Sequence, residues 1–125
     1  MFKTLPPYPD SPNCVCSQSE SSSHFISPIE FDIDPAQAWK TWCNLIANHR
    51  SLDSIESSDS HLHAVFVTRI FRFKDDLSCI LVEDERLIHV RSASRLGYWD
   101  LGANRKRVEE LRSLFSQTIL GGHEI

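Results

Sequence analysis

AVFVTRIFRFKDDLSCILVEDERLIHVRSAS, residues Ala64–Ser94, is the stretch that decides the fold class. β-Branched and aromatic residues crowd its first part, Ala64–Phe73, and such residues fit a pleated, half-buried surface better than a helix. Alternation puts Val65, Val67, Arg69, Phe71 and Phe73 on one face of this strand, with Phe66, Thr68, Ile70 and Arg72 on the other. Lys74–Leu77 reads as a turn with Asp75 and Asp76 at its tip, and Ser78–Glu83 returns as the second arm of a hairpin. Glu83–Arg86 makes another tight turn into a third strand, Leu87–Ser94. Consecutive hairpins give an antiparallel sheet.

Toward the N-terminus lies a well-signalled helix, Pro35–Asn48. Asp34 is its N-cap, Pro35 fits the first helical position, and Gln37 completes a capping-box-like D-x-x-Q. Trp39, Trp42, Cys43 and Ile46 recur at i, i+3, i+4 and i+7, an apolar stripe that should face a core. Polar Arg50–Ser60 reads as a loop, and Phe25–Ile33 as a strand interrupted by Pro28. Toward the C-terminus, Arg95–Ala103 is a loop containing Gly97 and Gly102. Asn104 then caps a final helix, Arg105–Leu120, which turns Val108, Leu111, Phe115 and Thr118 or Ile119 inward and stops at Gly121. The expected order is β-α-β-β-β-α, an α+β fold whose two helices pack on one face of the sheet. Residues 1–24, rich in Pro and Ser without a period of 2 or 3.6, form an extended arm, and residues 25–125 a single α+β domain.

A hydrophobic share of 41% in 125 residues is enough for one core. A net charge of −4 argues against a nucleic-acid binder, which would carry a basic excess across the domain. The opening MFKTLPPYPDSPN has no apolar run like a signal-peptide core, and nothing approaches the ~18 apolar residues of a membrane span. A soluble, cytoplasmic protein is expected. Of the four cysteines, Cys43 and Cys79 fall in apolar patterns and should be buried, whereas Cys14 and Cys16 sit in the arm and should be the accessible pair. No disulfide framework is expected.

Basic charge is local. Seven of the 13 Lys and Arg residues lie between Arg86 and Arg112, and Arg105, Lys106 and Arg107 occupy a first helical turn where the macrodipole is already positive. Such a violation marks either a functional site or an anionic partner within the fold. Arg91, Ser94, Arg95, Asp100, Asn104, Arg105 and Arg107 are the candidate site, with Asp75, Asp76 and Trp99 as contributors. Guanidinium groups beside a helix N-terminus can hold a carboxylate or phosphate through paired hydrogen bonds. Equally, Arg95 and Arg105 can clamp Asp75, Asp76 or Asp100 as an internal network.

Three stretches resemble the domain-of-unknown-function (DUF) family 1499: PPYPDSPNCVCSQ at Pro6–Gln18, HLHAVFVTRIFRFKDD at His61–Asp76, and RSASRLGYWDLGANRKRVEELR at Arg91–Arg112. The resemblance implies a fold and a residue set, not a reaction. Tyr8 stands where that family usually has a signature cysteine, and Cys16 where it usually has serine, so a paired-thiol role does not carry over.

Catalytic signals are absent: no G-x-S-x-G elbow, phosphate loop or Rossmann glycine pattern occurs. Cys14-x-Cys16 with His24, or His61-x-His63 with His89, offers metal-ligand chemistry, but no second cluster has zinc spacing, so neither metal nor cofactor is expected. The favoured function is a small binding or interaction domain with an Arg/Asp/Asn site at the last strand-to-helix junction. Its partner would be a small anionic molecule or a protein. A small enzyme using the same pocket and a metal-binding module are the alternatives.

Overall fold

In the computed structural model, which describes residues 4–5, 13–96 and 102–121, the central segment forms β4 (His61–Val67), β5 (Lys74–Val82) and β6 (Leu87–Ser94). Their antiparallel register puts Leu62, Cys79 and Val90 in one cross-strand row and Ala64, Leu77 and Ser92 in the next. The expected hairpins are therefore present. Their first turn is displaced, however: β4 stops at Val67, and the connection is residues 68–73 rather than Lys74–Leu77. Thr68 ends the strand by donating its N–H to the Phe73 carbonyl and accepting the Phe73 N–H on its hydroxyl, while Arg72 takes a left-handed φ of 59°. These loop-closing bonds override the strand propensity of Ile70, Phe71 and Phe73. Asp75 and Asp76 consequently belong to β5, not to a turn tip.

Two strands escape the sequence reading. β3 (Leu52–Ser57) lies in the stretch expected to be loop and pairs with β4 at one edge. A register shift between Leu52 and Ser54 lets Leu52 and Ile55, three residues apart, both pack against the core, which conceals the alternation. β1 (Cys14–Cys16) lies in the stretch expected to be an arm and pairs with the second half of β6. Only Ile29–Glu30 of the expected Phe25–Ile33 strand is regular, as β2, on the same side of β6 at its start. Between the two short strands Ser17 completes the edge, donating its N–H to the Val90 carbonyl and accepting the Val90 N–H on Oγ. Six antiparallel strands result among the described residues.

Helices α1 (Pro35–Ala47) and α2 (Ala103–Gly121) cover one face of this sheet, as the α+β reading requires. Asp34 caps α1 by accepting the Gln37 N–H at 3.1 Å. Trp42, fully buried, donates from its indole to Cys79 Sγ at 3.3 Å and meets the edge of Phe115 from α2 at 5.8 Å. Val108, Leu111 and Phe115 form the inward stripe of α2. That helix starts at Ala103 rather than after a capping Asn104, because Gly102, at φ 78°, turns the chain into it.

The cysteine assignment holds for Cys79, which is buried, and fails for the other three. Pairing with β6 buries Cys14 and Cys16 to 1% and 2% exposure, whereas Cys43 on α1 is only half-buried. Burial pushes the thiols of Cys79 and Cys43 up, to about 12 and about 11 respectively. Alkylation of the native protein at neutral pH should therefore be slow at every described thiol and reach Cys43 first. Peptide mapping after a timed iodoacetamide pulse measures the order, and prior labelling of Cys14 or Cys16 would contradict the β1–β6 pairing.

Candidate functional site

Adjacent residues of a strand point to opposite faces, so β5 sends Asp75 toward the helices and Asp76 to the other side. The register fixes the rows: Phe66, Asp75 and Ser94 on the helix side, and Val65, Asp76 and Ala93 on the open side. Each carboxylate meets its own arginine. The two assemblies are built from different residues and have different chemistry.

On the helix side, Asp75 and Asn104 are almost completely buried. Arg107 reaches in from α2 to place Nη2 2.9 Å from Asp75 Oδ2 and its guanidinium carbon 4.9 Å from the centre of the Phe66 ring. The approach is off the N–H direction, so neither Asp75 oxygen receives a directed hydrogen bond among the described residues. Asn104 is the connector. Its Oδ1 accepts from Ser92 Oγ at 2.6 Å and from Arg107 Nη1 at 3.1 Å, and its Nδ2 donates to the Asn13 carbonyl at 2.9 Å and to Ser94 Oγ at 3.0 Å. The segment entering β1, the end of β6 and the start of α2 are thus bound through one side chain.

On the open side, Asp76 takes a two-point hydrogen bond from Arg95, Nε at 2.8 Å and Nη2 at 3.0 Å, and contacts His63 Nε2 at 2.7 Å. The Arg95 hydrogen bonds, assisted by His63, hold the Asp76 carboxyl below the ordinary carboxylate range against the opposing effect of partial burial. One row along, His63, Ser78, Arg91 and Cys16 stand side by side across four strands. Arg91 Nε is buried there and has no hydrogen-bond partner among the described residues. His89 lies further along the same face, 2.9 Å from Ser17 Oγ, with burial lowering its pKa. A groove of about 640 Å³ borders this row, lined by His61, His63, Ser78, Ile80, Glu56 and Leu5 among others. Among the described residues no group of three or more His, Cys, Asp or Glu side chains is placed to hold a metal ion.

The model of the family described as a protein of unknown function (DUF1499) matches residues 4–115. The chain belongs to the DUF1499 family. Neither a curated protein nor a solved structure matches it.

For this DUF1499 chain, the residues grouped from the sequence fall into separate places. Ser94, Asn104, Arg107 and Asp75 come together on the helix side, whereas Arg91, Arg95 and Asp76 lie on the open side. Arg105 is exposed and donates to the Ser23 carbonyl at 3.3 Å, joining neither assembly. Asp100 and Trp99 lie outside the described residues. The sequence reading missed Asn13 and Ser92 in the inner network and Ser78 on the open face, and it grouped His63 with His61 and His89 rather than with Asp76. Ser92 carried a usable signal, since it shares the parity of Ser94. The inner position of Asp75 was also available by counting back in twos from Leu77.

Replacing Asp75 by Asn should leave a largely covered Arg107 without its counter-charge and destabilise the fold by about 3–5 kcal/mol. Asn104→Ala should cost about 1–3 kcal/mol for the hydrogen bonds it removes and the groups it strands. Urea melts measure both, and losses below about 0.5 kcal/mol would mark the network as incidental.

Stability should also fall with acid in two windows. His89 has a lowered folded pKa, so its contribution is complete above 6.5 and is lost as pH drops from there through the folded value. Asp76 is likewise depressed, so its contribution is present above 3.8 and is lost as pH drops through its lower folded value. Melting temperature against pH should show both slopes, with His89→Asn removing only the upper one.

Proposed function

We propose that this DUF1499 protein is a small binding domain that takes a small anionic molecule, a carboxylate or phosphate, on the open face of its sheet at Arg91. The observation carrying this reading is the buried, unpartnered Nε of Arg91. A buried donor without an acceptor is costly, and an anion is the acceptor a guanidinium suits best. The neighbouring cations are already engaged: Arg107 by Asp75 and Asn104, and Arg95 by both oxygens of Asp76. Ser78 occupies the same row and can donate its hydroxyl to the other side of a bound anion, and His63, whose Nε2 faces Asp76, can add a donor from Nδ1 when protonated. The groove beside them has room for the rest of a small molecule. The strand-to-helix junction, expected to hold the ligand, serves in this reading as the frame.

A small enzyme using this groove is the second reading, and the His63–Asp76 contact at 2.7 Å favours it. A carboxylate holding one imidazole nitrogen orients the other for proton transfer, with Arg91 available to stabilise developing negative charge. Catalysis would then demand His63 as base, whereas simple binding would tolerate His63→Gln with a modest loss of affinity.

Thermal melts with inorganic phosphate, citrate and short carboxylates test the binding reading. At a ligand concentration one hundred times Kd the wild type should gain about 2.7 kcal/mol. Arg91→Met, which keeps the apolar stem, should abolish that gain while leaving the unliganded melting temperature equal or higher. Absence of any anion-dependent shift in the wild type would overturn it.

A further inference from the structure

The loop joining β4 to β5 contradicts ordinary surface composition. Ile70 is 82% exposed, Phe71 71% and Phe73 47%, three large apolar side chains within four residues. Isolated apolar residues on a surface need no explanation, but a contiguous apolar projection does. The loop is nevertheless well tied. Thr68 and Phe73 close it with two hydrogen bonds, and the Phe71 and Phe73 rings stack at 5.5 Å with an interplanar angle of 17°. The left-handed φ of 59° at Arg72 reverses the chain between the two rings.

Cations surround this apolar tip. Arg69, Arg72 and Lys74 are interleaved with it, all exposed, in a chain whose net charge is −4. Beside the loop, a recess of about 360 Å³ is lined by Arg50, Arg69 and Arg72 together with Asp53. None of these three arginines makes an ion pair among the described residues, and Asp53 is 3.8 Å from the Lys74 ammonium instead. Three guanidiniums that make no ion pair among the described residues thus share a recess beside an exposed aromatic and aliphatic tip, an amphipathic arrangement.

We propose that residues 68–73 are a docking loop for the surface of a bilayer containing anionic lipid. Ile70 and Phe71 enter the boundary between headgroups and acyl chains, and Arg50, Arg69 and Arg72 engage the headgroup phosphates. A bilayer fits better than a protein groove because three exposed arginines gather beside one projecting apolar tip, which suits a layer of negative charge over hydrocarbon. No helix among the described residues is long and apolar enough to cross a membrane, and the proposal requires only surface attachment. Neither Arg91 nor the groove lined by His63 and Ser78 shares a residue with this loop, so the two proposals stand or fall separately.

Flotation of the full chain with vesicles tests the proposal, using phosphatidylcholine alone and phosphatidylcholine mixed with phosphatidylserine. The wild type should float with the mixed vesicles, remain unbound to the neutral ones, and dissociate as salt is raised. Arg69→Gln and Arg72→Gln should each weaken the partition by about fivefold. Ile70→Ser with Phe71→Ser should lower it at least tenfold with an unchanged circular dichroism spectrum, because neither residue is buried, and Arg91→Met should bind as the wild type does. Failure to float with the mixed vesicles, equal binding to both vesicle types, or undiminished binding by the Ile70/Phe71 double variant would each overturn it.

Discussion

Everything on the helix side of the sheet depends on how Asp75 and Arg107 share a site largely closed to water. Withdrawing a carboxylate and a guanidinium from solvent costs several kcal/mol per ion, and a single contact at 2.9 Å without directed geometry does not offset that alone. Two further contacts help. The Phe66 ring lies against the guanidinium, and Asn104 accepts a second of its N–H groups. Because Asn104 also holds Ser92, Ser94 and the carbonyl of Asn13, the pair cannot rearrange without moving β6, the entry to β1 and the first turn of α2 together. The position of Val108, Leu111 and Phe115 in the core follows from that anchoring.

The same coupling accounts for cations at the start of α2. Arg105, Lys106 and Arg107 lie where the helix macrodipole disfavours positive charge, and the first turn contains no acid to offset it. Arg107 is compensated from outside the helix, by Asp75 of β5. Arg105 finds a backbone carbonyl at Ser23, in the connection between β1 and β2. Further along, Arg112 bonds the carbonyls of Ser27 and Pro28 as well as Glu109. The basic side chains of α2 therefore tie down the irregular segment before α1, which has little regular pairing of its own. A charge pattern that looks like an anion site in the sequence is largely a set of tertiary clamps.

Periodicity disclosed the parts of the fold whose residues are chosen by burial. The stripe Trp39, Trp42 and Ile46, the cap at Asp34, and the paired strands around Cys79 and Val90 all carry their pattern in consecutive residues. β3 is different because a bulge breaks its alternation, and β1 because three residues are too short for a period to show. The displaced turn misassigned the two aspartates, and with them the site. Once Lys74–Val82 is a strand, the side on which each acid lies follows from counting, and the sequence's single Arg/Asp/Asn group divides into an internal network and an open-face cluster. Distance along the chain hid the link from His63 to Asp76 and Arg95, which exists only across paired strands.

That division assigns the arginines by what they already touch. Arg107 and Arg112 have acceptors within the fold, Arg95 has both oxygens of Asp76, and each removes a donor set that a ligand would otherwise use. Arg91 differs because the sheet fixes its backbone between two neighbours, β1 and β5, while its side chain emerges on the face without helices. The strand pairing holds the residue in place, so its orientation needs no polar partner, and its buried Nε remains unused among the described residues. A cation positioned by backbone hydrogen bonds keeps its side-chain donors for something else, whereas one positioned by its own ion pair does not. On this physical ground our proposal puts the ligand on the open face rather than at the more heavily charged strand-to-helix junction.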